Sequence, residues 1–235
     1  MGVTILSGLN YVNAETQYLL NNENLENNQG AVTIVTDEEE KLAIHNDFLK
    51  VFPEEMAQIQ KLGMSRSNIG KSEEELIDET KEMEPIIDTE KEVNGDYYRL
   101  VAYSNGIYSK VGIKGGTSTT GSGYVNYKNR KAYAQLYSSL ANPVSGHTFT
   151  AIASYTNVNG GYDYISSAQP YSFYFCQNAY THSNKKLKEN SSGKAYVKFY
   201  YEGRSASTPV EAYNKYYLTL YVGKDTATVK ADLRE

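Results

Sequence analysis

The chain of 235 residues is short of several residue types, and each shortage excludes a class of structure. Its single cysteine, Cys176, excludes an intrachain disulfide, and tryptophan is absent. No stretch approaches the roughly 20 apolar residues that a membrane-spanning helix needs, so no transmembrane segment is predicted. The three histidines (His45, His147 and His182) lie far apart, without the spacing typical of metal ligands. The sequence therefore predicts no metal site and no cofactor.

Catalytic motifs are missing too. There is no Gly-x-Ser-x-Gly, no phosphate-binding loop and no His-Glu-x-x-His. Two Ser-x-x-Lys matches, at 183–186 and 191–194, lack the further motifs of serine acyl-enzymes. Residues 157–163 space oxygen-bearing side chains like a calcium loop, but they lack its acids and closing Glu, so a hairpin turn is predicted. No catalytic residue is predicted, and the protein is expected not to be an enzyme.

Charge is unevenly distributed along the chain. Residues 1–95 contain 20 acidic and 7 basic residues, a net charge of −13, whereas residues 96–235 contain 8 acidic and 16 basic residues, a net charge of +8. Such asymmetry indicates two segments with different roles. Either the acidic segment complements the basic one, or the two surfaces are solvated separately.

The first 36 residues suggest export. Residues 1–14 are apolar and end in Val12-Asn13-Ala14, which fits the small-residue cleavage pattern of a secretory signal, although the positively charged start is missing. We interpret 1–14 as a signal-peptide remnant, with an ordinary apolar strand or helix as the alternative. Residues 15–36 are polar and rich in asparagine, and a disordered segment is predicted there, with a short possible strand at 31–35.

Residues 37–95 have the pattern of an acidic helical segment. A first helix begins at Thr36 or Asp37 and ends at Pro53, which also suits the first turn of a second helix ending at Gly63. Ser72 and Glu75 form a capping box that opens a third helix. The apolar stripes are narrow, so these helices are predicted to dock on the following domain or to act as a spacer.

From residue 96 to 235 the apolar period changes to two. About nine short strands separated by turn signals predict a mainly β domain, an antiparallel β-sandwich. Gly115–Gly123 is predicted to be a flexible loop. The predicted strands cover 97–103, 107–113, 130–138, 147–156, 161–167, 171–178, 194–202, 213–223 and 226–233.

Tyrosine and lysine alternate with the core positions of several strands. Tyrosine is stiff and amphipathic, so a tyrosine and lysine face can stack on sugar rings and meet anionic groups. The alternative is structural, because tyrosine has a high β-propensity and stabilises sheet faces through cross-strand pairs. The predicted binding residues are Tyr133, Tyr137, Tyr196, Lys198, Tyr200, Lys215, Tyr217 and Tyr221.

The layout, an apolar start followed by an acidic helical segment and a β domain rich in Tyr, Ser and Lys, resembles uncharacterised secreted β-sandwich proteins of Gram-positive bacteria. Segments such as 131–136 (KAYAQL) and 147–155 (HTFTAIASY) show the residue pattern on which the resemblance rests. The resemblance implies an extracellular or cell-surface location. The favoured hypothesis is a secreted binding protein whose partner is a cell-wall polymer, a glycan or an anionic lipid surface, with a possible protein partner for the acidic helices and no nucleic acid. A bacteriocin-like or pore-forming protein that inserts 115–127 as a hairpin is the alternative. A cell-wall-acting enzyme, using two of the eight acids after residue 95, is the third hypothesis.

Overall fold

The computed structural model describes residues 30–31, 38–143, 146–173, 179–204 and 213–233. The predicted signal-peptide remnant, nearly all of the polar segment 15–36 and Cys176 lie outside these residues, so their predictions stay as predictions. Within the described part of the chain, no helix is both long and apolar enough to cross a membrane.

The three predicted helices are confirmed. Three glutamates occupy the first turn of α1, where their charge complements the helix dipole. Pro53 starts α2, because its fixed φ suits a helix start and its missing N–H has no partner there. The predicted capping box opens α3: the Ser72 hydroxyl accepts a hydrogen bond from the Glu75 N–H, and the Glu75 carboxylate accepts one from the Ser72 N–H. The helices are α1 (Glu38–Val51), α2 (Pro53–Gly63) and α3 (Glu73–Thr80), with a 3₁₀ turn at Arg66–Asn68.

The mainly β, antiparallel fold is also confirmed. All strand pairs of the described residues are antiparallel. The strands are β1 (Gly30–Ala31), β2 (Ile87–Val93), β3 (Asp96–Ala102), β4 (Tyr108–Lys114), β5 (Thr117–Gly121), β6 (Tyr124–Ser138), β7 (His147–Val158), β8 (Tyr164–Phe173), β9 (Ala179–Lys186), β10 (Ala195–Arg204), β11 (Tyr213–Gly223) and β12 (Thr226–Leu233).

These strands form two sheets. The larger sheet has the order β2-β3-β4-β6-β7-β8, and β5 follows β4 along the same edge of the long strand β6. The smaller sheet has the order β9-β10-β11-β12, with the two-residue β1 paired to β9. The predicted boundary at 95/96 falls in the turn of the β2–β3 hairpin.

The two sheets pack face to face around one apolar core, which makes a sandwich. The larger sheet contributes side chains such as Val111, Ala134 and Phe149, and the smaller sheet contributes others such as Phe199 and Leu218. Both sheets alternate apolar inward positions with outward ones, as the period of two requires.

Helices α1 and α2 cover part of the other face of the larger sheet and form a second core with it, whereas α3 packs Leu76 and Ile77 against the inter-sheet core. Ile44, Phe48 and Phe52 of the helical segment are fully buried against Tyr98 and Leu100 of β3. The ring of Phe48 meets that of Tyr98 edge-on, with centroids 5.6 Å apart. The molecule therefore has three layers, and the larger sheet in the middle is covered on one face by the smaller sheet and on part of the other face by α1 and α2.

The structure differs from the prediction in the number of strands. The predicted loop at 115–123 contains β5, and neither β2 nor β9 was predicted. The sequences of β5 (TSTTG), β2 (IDTEKEV) and β9 (AYTHSNKK) carry few apolar residues. Because β2 and β5 lie at sheet edges, these two strands need no alternating apolar pattern. Two predicted strands, 161–167 and 171–178, correspond to the single β8, and residues 174–178 lie outside the described chain.

Candidate functional site

Six of the eight predicted binding residues lie together on the outer face of the smaller sheet. They come from β10 and β11, which pair so that Tyr196 lies opposite Tyr221 and Tyr200 lies opposite Tyr217. The residues between them in sequence, such as Phe199, are buried in the inter-sheet core. We call this surface the Tyr/Lys face; its residues are Tyr196, Lys198, Tyr200, Lys215, Tyr217 and Tyr221.

Lys198 lies at the centre of the Tyr/Lys face, held by two tyrosine rings. Its Nζ is 4.0 Å from the ring centroid of Tyr217 and 5.1 Å from that of Tyr200. A ring quadrupole attracts an ammonium group at such distances. On one side, the rings of Tyr196 and Tyr221 lie tilted with centroids 6.4 Å apart. These contacts fix the side chains before any ligand arrives.

The neighbouring strands add more lysine to the same face. By register, Lys186 of β9 lies beside Tyr196, and Lys230 of β12 lies two strands away from Lys198. Lys230 is exposed and Lys186 is half-buried. Sequence reasoning missed both. Apolar and polar residues alternate along 226–233, and this pattern could have placed Lys230 on the outer face. Lys186 lies in a stretch that was interpreted as a turn.

Two acidic residues share the Tyr/Lys face by register: Glu202 lies opposite Lys215 at one end, and Asp232 of β12 lies opposite Tyr217. None of the ion pairs among the described residues involves Lys198. The surface therefore combines exposed or half-exposed ammonium groups with hydroxyl-bearing rings. Chemically, it can attract anionic groups and stack against flat or ring-shaped ligands.

The other two predicted residues do not share this face. Tyr133 is fully buried beneath the helices, and burial raises its pKa well above the usual value. Tyr137 is buried in the inter-sheet core. Because Tyr133 and Tyr137 are four residues apart, their side chains would lie on the same face of an ideal strand. However, Tyr137 has φ +60° and lies where β6 bulges. The bulge turns its side chain to the opposite face of the sheet.

A group of buried bases lies beneath helix α1, and sequence reasoning missed it. Lys110 of β4 is fully buried; its Nζ donates to the Pro143 carbonyl at 3.1 Å and lies 5.2 Å from the Tyr108 ring. Burial, together with nearby Lys41, lowers the pKa of Lys110 to about 7. His45 is hydrogen-bonded to the Tyr108 hydroxyl, and burial lowers its pKa to about 4. Because Lys110 has no exposed surface, it cannot meet a substrate in this conformation.

Two of the eight acids after residue 95, Asp163 and Glu189, lie side by side, and neither lines the cleft beside Lys114 and Lys131. Asp163 is fully buried and accepts hydrogen bonds from the backbone N–H groups of Val158 and Asp225. Glu189 accepts from the N–H groups of Asp163 and Lys224. Through these hydrogen bonds the two carboxylates join the β7–β8 turn to the β11–β12 turn, so they have a structural role. The same contacts favour the interpretation of 157–163 as a hairpin turn. In the described part of the chain, no group of three His, Cys, Asp or Glu side chains is placed to hold a metal ion.

The segment 115–127 does form a hairpin, from β5 and the start of β6. Its strand β5 consists of threonine, serine and glycine, and four of its five residues are exposed. A hairpin that enters a bilayer needs an apolar face at alternate positions. β5 has no apolar side chain to supply one.

Comparison with known proteins adds no relative: no family model, curated protein or solved structure matches the chain.

Proposed function

We propose that the protein is a secreted, non-enzymatic binding protein whose Tyr/Lys face engages an anionic or glycan cell surface, with a cell-wall polymer as the favoured ligand. The observation that carries this proposal is the position of Lys198 between the rings of Tyr200 and Tyr217 on an open sheet face. Rigid aromatic side chains lose little conformational entropy on binding, so a face arranged in advance binds at low cost.

A polymer suits this face better than a lipid bilayer. Its outward positions hold tyrosine, lysine and threonine, with acidic residues toward one end, and Leu218 and Leu220 between them point into the core. Insertion among acyl chains needs apolar side chains that protrude, as in interfacial helices. A flat face of ammonium groups and hydroxyl-bearing rings instead matches a chain of sugars or phosphates that lies across the strands.

The test is co-sedimentation of the full chain with purified Gram-positive cell walls and with anionic liposomes, at 50 and 500 mM NaCl. We expect pelleting with walls that weakens at high salt, because ammonium contacts are screened. The variant Lys198→Ala/Tyr200→Ala/Tyr217→Ala should lower wall affinity at least about tenfold, as expected for loss of central aromatic and cationic contacts.

The matched control is Lys61→Ala/Tyr162→Ala/Tyr164→Ala, which removes the same residue types from exposed positions elsewhere. It should pellet like the unchanged protein. Equal loss in both variants, or no pelleting with walls at all, would contradict the proposal. Pelleting with liposomes and release of an enclosed dye would favour the pore-forming alternative instead.

A further inference from the structure

An open cleft of about 400 Å³ lies on the outer face of the larger sheet, on the opposite side of the sandwich from the Tyr/Lys face. Cavities of this size hold small ligands, and a one- or two-ring ligand would fit. The cleft lies beside helix α1, where the helical layer leaves the sheet uncovered. Its lining residues are Asp96, Lys114, Gly115, Gly116, Asn129, Lys131 and Ile152.

Two lysines of the cleft are anchored by carboxylates of helix α1. Lys114 forms an ion pair with Asp47 at 3.3 Å, and Lys131 forms one with Glu40. Each lysine side chain is largely buried, with 20% and 25% of its surface exposed. An ammonium group has three N–H donors, so each lysine keeps donors for a ligand while its position is fixed.

The third charged residue of the cleft is paired as well. Asp96 accepts a hydrogen bond from the buried Arg130 guanidinium at 2.7 Å. All three charges in the lining are thus matched by a partner of opposite sign. A site with balanced charge gives an anion little advantage, whereas it offers many donors and acceptors to a neutral ligand with hydroxyl groups.

An aromatic ring lies next to the cleft. Tyr171 of β8 is 44% exposed, and the Lys131 Nζ is 5.1 Å from its ring centroid. Exposed aromatic rings beside hydrogen-bonding side chains provide a surface on which the C–H face of a sugar ring can pack. Gly115 and Gly116, which carry no side chain, also line the cleft.

We infer that this cleft is a second binding site, for a neutral saccharide. The fixed Lys114 and Lys131 donate to sugar hydroxyls, the Asp96 carboxylate accepts from them, the Asn129 amide can do either, and Tyr171 packs against the ring. The inference does not depend on the proposed function, because it concerns another face and an uncharged ligand.

The test is titration of the full chain with neutral, N-acetylated and uronic-acid-containing oligosaccharides of two to four residues, followed by saturation-transfer NMR. A neutral or N-acetylated oligosaccharide should bind with nearly equal affinity at 50 and 500 mM NaCl. The variant Glu40→Gln/Asp47→Asn/Lys114→Gln/Lys131→Gln, which replaces both ion pairs with uncharged amide side chains, should lose at least about tenfold in affinity.

The matched control is Glu55→Gln/Lys91→Gln, which removes another helix–sheet ion pair, with its N–O distance of 3.6 Å, away from the cleft. It should bind the saccharide normally, and so should the variant of the Tyr/Lys face. Binding of only the acidic oligosaccharides with loss at high salt, equal binding by the cleft variant, or binding of none of the panel would overturn the inference.

Discussion

At the scale of single residues, Lys110 is the least expected feature of the molecule. A lysine with no exposed surface is held by one carbonyl oxygen and an aromatic ring, beside a second buried lysine, Lys41. Burial penalises the charged form, so the pKa of Lys110 falls from 10.5 to about 7. In the unfolded chain the same amine regains its ordinary pKa. Between pH 7 and 10.5 the unfolded state therefore binds more protons, and stability rises with pH.

The variant Lys110→Met should reduce this dependence of stability on pH. If the unfolded state binds one more proton than the folded state from pH 7 to 9.5, the free energy of unfolding of the unchanged protein rises by about 3 kcal/mol over that interval. Lys41, whose pKa is lowered to about 8, adds to this rise. Chemical denaturation at pH 7, 8 and 9.5 gives the slope. Tyrosine ionisation limits the range above pH 10.

The control for this experiment is Lys50→Met, at an exposed position of helix α1, which should keep the original slope. A Lys110→Met protein with the same slope as the unchanged chain would show that Lys110 stays charged when buried. Toward acid pH, His45 acts in the same direction: its folded pKa of about 4 lies below the usual 6.5, so stability falls as pH drops from 6.5 to 4.

At the scale of elements, helix α2 and the β3–β4 turn touch through two glycines. A Cβ on Gly106 would lie 2.5 Å from the Cα of Gly63, and Gly106 has φ +82°. Asn68 donates to the Asn105 carbonyl at 2.9 Å, and Asn105 donates to the Leu76 carbonyl at 2.8 Å. The turn therefore fastens α2, the 3₁₀ turn and α3 to the larger sheet.

Substitution of Gly106 tests this fastening. Gly106→Ala meets backbone atoms and should destabilise the protein by several kcal/mol in thermal or chemical unfolding, of the size seen for overpacking plus strain. Gly95→Ala is the matched control, because Gly95 has φ +79° and open space around its Cβ position. It should cost only about 1–2 kcal/mol, the penalty of the left-handed backbone. If both variants lost the same free energy of unfolding, the backbone at Gly63 would be able to move away from the added methyl group without measurable loss of stability.

Elements with a regular pattern could be predicted from the sequence, and those without one could not. The capping box at Ser72 and the alternation of β10 and β11 are local signals, and both led to correct elements. The polar strands β2 and β5 gave no signal, because edge strands need no apolar face. Likewise, the bulge that turns Tyr137 inward depends on a backbone conformation that tyrosine rarely adopts.

The candidate sites were predictable to different degrees. The Tyr/Lys face follows from the alternation within two strands, so six of its residues could be named in advance. The cleft combines Asp96, Lys114 and Lys131 with carboxylates of α1 that are distant in sequence. Only the tertiary packing of helix on sheet brings these residues together.

At the scale of the whole molecule, the acidic segment and the β domain form one layered structure. Among the described residues, three ion pairs join the helical layer to the larger sheet, and all are partly exposed: Glu40–Lys131, Asp47–Lys114 and Glu55–Lys91. Exposed pairs contribute about 0–1 kcal/mol each. Burial of Ile44, Phe48 and the other apolar residues of the second core therefore dominates the docking.

A chain consisting of 96–235 alone should not form a stable monomer. Removing the preceding residues exposes Tyr98, Leu100 and Tyr133 on the larger sheet and leaves β3 as an unpaired edge. Exposed apolar faces and open edges favour aggregation. Size-exclusion chromatography and thermal unfolding should show aggregates or no cooperative transition. As a control, the full chain in 500 mM NaCl should remain folded; a monomeric, cooperatively unfolding 96–235 would refute the prediction.

The order of the layers along the chain has a consequence for synthesis on the ribosome. Helices α1 and α2 emerge before β3, β4 and β6, which carry the surface that these two helices cover. Short isolated helices are marginal in water, so this segment waits for its partner sheet with Phe48 and Phe52 exposed. Copies of the segment carry the same excess of acidic residues, and like charges repel. The negative charge of the segment therefore opposes contact between unfinished copies of this chain before the helices reach the sheet.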